Sequence, residues 1–68
     1  MESPSIIIFE TSKWNKWNAT IWLYNNGYIY HRIDETNKYY IRFIQHIEVG
    51  KYINKKMDNG IEFVIKVP

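Results

Sequence analysis

Sixty-eight residues with a formal charge of +2, 46% hydrophobic and 18% aromatic, describe one small folded domain with room for a single core. Such a composition excludes a disordered charged tail, and the absence of cysteine excludes disulfide stapling and thiolate metal sites. His31 and His46 complete no zinc-ligand set, so no cofactor or metal is expected. Apolar and aromatic side chains alone, or a partner subunit, must hold the core.

Residue usage points to strands. Ile occurs 12 times, Asn and Lys 7 times each and Tyr 6 times, whereas Ala and Leu occur once each. The best helix formers are thus replaced by residues that favour sheets. Ile, Asn, Lys and Tyr share A/T-rich codons, which fits a low-GC source: an AT-rich bacterium, an archaeon, or a virus or phage of either. Met1 to Pro4 lacks a basic region, and Ile6 to Phe9 is too short for a signal-peptide core or a membrane span. The expected setting is cytoplasmic, in the host cytoplasm if the source is viral.

In chain order, Ser5 to Glu10 reads as a first strand. Thr11 to Asn18, polar with two tryptophans, reads as extended or irregular, with a helical turn as an alternative. Ala19 to Asn25 alternates, with Ala19, Ile21 and Leu23 facing one way and Thr20, Trp22 and Tyr24 the other. Asn25-Asn26-Gly27 then predicts a tight hairpin turn, because Asn-Gly accepts positive φ. The return strand is Tyr28 to Ile33, with Ile29, His31 and Ile33 on one face and Tyr28, Tyr30 and Arg32 on the other.

Asp34 to Lys38 is a charged turn, and Tyr39 to Gln45 is the next strand. The phase is lost beyond it, which suggests a bulge or a further strand starting near Ile47. Lys51 to Lys55 and Ile61 to Val67 form a last hairpin around Asn59-Gly60. The expected fold is all-β, a single domain over residues 1–68 that forms a small antiparallel barrel or strongly bent meander sheet of five to six strands. The expected core is Ile6, Ile8, Ile21, Leu23, Ile29, Ile33, Ile41, Phe43, Ile47, Phe63 and Ile65.

From Ala19 onward the order of features resembles the bacterial and archaeal PH-like and GRAM-like β domains. The matching stretches are Ile21 to Tyr30, Ile41 to Ile47 and Gly60 to Ile65, within about fifty residues. The resemblance implies a reduced, open version of that fold, since those domains end in a C-terminal helix for which the residues up to Pro68 show no pattern. It assigns no functional residue here.

Chemistry is sparse. Ser3, Ser5 and Ser12 sit in no nucleophile motif, Gly27, Gly50 and Gly60 form no phosphate loop, and Asp34-Glu35 lie together in a solvated turn. No enzyme activity and no small-molecule substrate are expected. The feature that stands out is aromatic and basic: Lys13, Trp14, Lys16, Trp17, Trp22, Tyr24, Tyr28, Tyr30 and Arg32 form one surface if the first hairpin forms. Such a surface suits a protein partner or a second copy of the chain. It equally suits single-stranded nucleic acid, with bases stacked on rings and phosphates met by cations. It is also readable as a second core layer. A charge of only +2 ranks protein binding first, so the expectation is a small non-enzymatic interaction module, regulatory or inhibitory, with no membrane partner.

Overall fold

The structure, a computed structural model, describes residues 4–68; the reading of Met1, Glu2 and Ser3 lies outside them. Its elements run β1 (Ile6–Glu10), α1 (Lys16–Asn25), β2 (Arg32–Asp34), β3 (Tyr40–Ile44), β4 (Tyr52–Lys56) and β5 (Ile61–Lys66). The five strands form one sheet in the order β2-β3-β1-β5-β4, with every neighbouring pair antiparallel. β2 and β4 remain edges, so of the two expected forms the chain adopts the open sheet and not the closed barrel. No helix among the described residues is long and apolar enough to cross a membrane.

The central strand is β1, and its alternation sets the two faces. Ile7 and Phe9 are fully buried, while Ile6 and Ile8 point to the opposite face and are half-buried. The expected core had this phase reversed, because an unbroken apolar run carries no alternation from which to choose a side. Ile41, Phe43 and Ile61 lie opposite Phe9, Ile7 and Phe9 in register and complete the sheet side of the core. Ala19 and Leu23 of α1 cover it.

The helix corrects the strand expected over Ala19 to Asn25, and with it the first hairpin. Asn15 caps α1: its side chain accepts from the Asn18 backbone N–H at 2.9 Å, and Asn18 Oδ1 accepts from the Asn15 N–H at 2.7 Å. At the other end Gly27, with φ +78°, follows the cap residue Asn26. The Tyr28 N–H donates to the Leu23 carbonyl at 3.0 Å and the Gly27 N–H to the Tyr24 carbonyl at 3.2 Å. This pair of hydrogen bonds is a Schellman cap. Asn26 has φ −102°, whereas a type I′ hairpin turn needs positive φ at both central residues. The Asn-Gly signal was therefore real, but it ends a helix.

Residues expected in the first return strand are mostly connection. β2 keeps two of them, Arg32 and Ile33, and extends to Asp34, while Tyr28 and Tyr30 turn inward and Ile29 is exposed. No strand starts near Ile47, which is exposed, as is Ile21. Ile33 and Phe63 pack partly buried against the core as expected, and Ile65 is half-buried. The second hairpin forms around Gly60, φ +84°, with Lys56 opposite Glu62.

Candidate functional site

The nine aromatic and basic residues expected to share one surface are divided among three environments. Four rings pack inward. Phe9 is met edge-on by Trp14 at 5.2 Å, Trp22 at 5.8 Å and Phe43 at 5.3 Å between ring centres. Trp22 stacks on Tyr28 at 5.8 Å, and Tyr30 meets Phe43 at 5.0 Å. Offset and edge-to-face pairs at these distances add about 0.5–1.5 kcal/mol each beyond their area. Trp14 also donates through Nε1 to the Asn59 carbonyl at 2.7 Å, tying the β4–β5 turn to the segment before α1. These rings are partly buried and pack against the core as a second layer.

The three cations are also separated. Lys13 Nζ donates to the Asp58 carbonyl at 3.3 Å beside the β4–β5 turn. Lys16, at the start of α1, lies 3.9 Å from Glu35 in an exposed pair of the kind that contributes little. Arg32 pairs with Ile44 in register, and so belongs to the sheet face turned away from α1. The reason is the helix itself: a 3.6-residue period sends Trp22 inward with Ala19 and Leu23, where a two-residue period grouped it with Tyr24.

The rings of the expected site that remain exposed are on the outer side of α1. Trp17 is 76% and Tyr24 83% exposed, and between them Ile21, which the sequence reading placed in the core, is 60% exposed. Spacings of four and three residues set the three on one stripe. The helix therefore buries Ala19 and Leu23, packs Trp22 partly buried beside them and presents a second, opposite apolar face to the outside. The sequence signal for this stripe is Trp17-x3-Ile21-x2-Tyr24, visible once the segment is read at helical period.

The uncovered sheet face is the other surface of note. Ile6, Ile8, Ile44 and Val64 form its half-buried centre. A shallow depression of about 310 Å³ beside it is lined by Ile8, Asn37, Tyr40, Arg42 and Glu62. Asp34 anchors the edge: it accepts from the Thr36 hydroxyl at 2.7 Å and the Thr36 N–H at 3.0 Å, and pairs with Arg42 at 2.6 Å. Those bonds, the Thr36 hydroxyl foremost, hold its carboxyl down at about 2. Across the face, Asn54 donates to Glu62 at 2.5 Å. The two histidines are apart, with His46 Nε2 2.8 Å from Glu48 and His31 exposed on its own. Among the described residues, no three His, Asp or Glu side chains gather as a metal site.

No protein-family model, no curated protein and no solved structure matches this chain.

Proposed function

We propose that this chain is a small, non-enzymatic protein-interaction module that docks through the outer stripe of α1. One observation carries the reading: Trp17, Ile21 and Tyr24 stand 60–83% exposed on one side of a helix whose other side is already buried. Anchors at i, i+4 and i+7 are what an apolar groove on a partner protein reads from a helix. Trp and Tyr bring large contact area with one polar group each, and they dominate binding hot spots. Acting by covering a partner's groove fits a regulatory or inhibitory role. The single-stranded nucleic-acid reading has less support, because Trp14, Trp22, Tyr28 and Tyr30 are partly buried against the core and Lys13, Lys16 and Arg32 sit beside different elements.

Affinity capture with the wild-type chain and a Trp17→Ala/Tyr24→Ala variant, followed by a binding titration of the captured protein, tests the reading. The expected result is a defined protein partner that the variant loses while its circular dichroism and melting stay those of wild type. Equal binding by both chains overturns it. So does quenching of Trp emission by a single-stranded oligonucleotide with a steep salt dependence.

A further inference from the structure

The face of the sheet that α1 leaves open carries a charge pattern with a symmetry of its own. Cross-strand partners set five residues in one row from edge to edge: Asp34, Arg42, Ile8, Glu62 and Lys56. Their charges run negative, positive, neutral, negative, positive. Counting outward from Ile8, each charge on the β3 side is answered at the same distance on the β5 side by its opposite. The next row, Arg32, Ile44, Ile6, Val64 and Asn54, is apolar at its three central positions.

We propose that this face is a homodimer interface, in which two copies stack sheet against sheet about a two-fold axis parallel to β1. Such an axis lies in the plane of contact and exchanges the two sides of the sheet. Arg42 then opposes Glu62 of the second copy, Asp34 opposes its Lys56, and Ile44 opposes its Val64. Ile6 and Ile8 meet their own counterparts on the axis. All four charged positions of the row find an opposite charge, and the same contacts repeat on both sides, as an isologous interface requires.

The charges also reject the other simple arrangement. An axis in the same plane but perpendicular to the strands, passing through the Ile8 row, sets that row against itself. Asp34 would face Asp34, Arg42 Arg42, Glu62 Glu62 and Lys56 Lys56, and like charges held opposite one another repel. Aligned sheets pack about 10 Å apart within about 30° of parallel, a gap that Arg and Glu side chains span. Edge-to-edge pairing has less to offer: β2 is three residues long, and β4 carries Lys55 and Lys56.

Size sets the strength. Five strands about 4.8 Å apart and five residues long at about 3.3 Å each give a footprint of about 400 Å² per copy. Standard interfaces bury about 800 Å² per partner, so this dimer is weak and concentration-dependent. It uses a different surface from the α1 stripe and stands independently of the function proposed above.

Sedimentation equilibrium on the full chain, from micromolar to millimolar protein, is the test. Wild type is expected to move from monomer to dimer mass over that range. Arg42→Glu alone and Glu62→Arg alone, both checked for folding by circular dichroism, should stay monomeric, because each sets two like-charge pairs in the interface. An equimolar mixture of the two variants should recover dimer mass, since both pairs between positions 42 and 62 of the mixed dimer then set a carboxylate against a guanidinium. Wild type that remains monomeric, single variants that dimerise as well as wild type, or a mixture that stays monomeric each overturns the proposal. A dimer abolished by Trp17→Ala/Tyr24→Ala, and not by the charge changes, assigns self-association to the helix and overturns it too.

Discussion

At the scale of single residues, three short polar side chains organise the backbone around them. Asn15 and Asn18 satisfy each other's backbone donors and so start α1, although neither is a strong helix former. Asp34 organises the turn after β2 through Thr36 and holds Arg42 across to β3. Its carboxyl sits at about 2 against an ordinary 3.8, first because of the Thr36 hydroxyl and backbone bonds and then because of Arg42. A depressed carboxyl contributes stability that is complete above the unfolded value, near pH 4, and is lost as pH falls through the folded value. Denaturant unfolding of wild type and Asp34→Asn should therefore show the wild-type advantage shrinking between pH 4 and pH 2. An advantage that stays constant across that window contradicts this role.

At the scale of elements, α1 is where the sequence was most ambiguous and the structure most decisive. Lys16 to Asn25 is apolar around most of its circumference, so both a two-residue and a 3.6-residue period can be fitted to it. Asn26-Gly27 then closes either a hairpin or a helix, since both need glycine-like backbone freedom at Gly27. The helical assignment makes opposite predictions for neighbouring positions. Leu23→Ala should cost about 2–5 kcal/mol, as for a filled core site, while Ile21→Ala should change stability by about 0.5 kcal/mol or less. On a strand the two would share a face and cost similar amounts. Chemical denaturation of the two variants distinguishes these outcomes.

The strands were more legible than the helix, for a physical reason. β3 alternates cleanly, β5 alternates in residue type except at Val64, and β4–β5 is joined by an Asn-Gly turn with no competing helical pattern. β1 was placed correctly but faced wrongly, because four consecutive apolar residues fit either side. Of the expected binding surface, Trp17 and Tyr24 are exposed together on the helix, and Trp14, Trp22, Tyr28 and Tyr30 are partly buried against the core. Ile21, the third member of the stripe, was expected inside.

At the scale of the whole molecule, one helix covers one face of a five-stranded sheet and the aromatic cluster around Phe9 fills the space between them. Stability should be graded outward from β1, which is paired on both sides. Amide hydrogen exchange is expected to be slowest in Ile7 to Phe9 and in the partners of β1 on β3 and β5, and fastest in β2 and β4. Equal protection of the edges would mean that something covers them.

By itself the sequence determined the sheet-rich class, the second hairpin, the charged turn at Asp34 and the dependence on aromatic packing in the absence of cysteine. These follow from local properties: residue propensity, turn chemistry and alternation over a few residues. Only the tertiary structure decided that Lys16 to Asn25 is helical, which rings are core and which side of β1 faces inward. Each of those depends on contacts between residues far apart in the chain, Trp14 with Asn59 and Trp22 with Phe9 and Phe63. Burial of the rings against Phe9 and Phe43 outweighs a local preference for strand that is worth only about 1 kcal/mol.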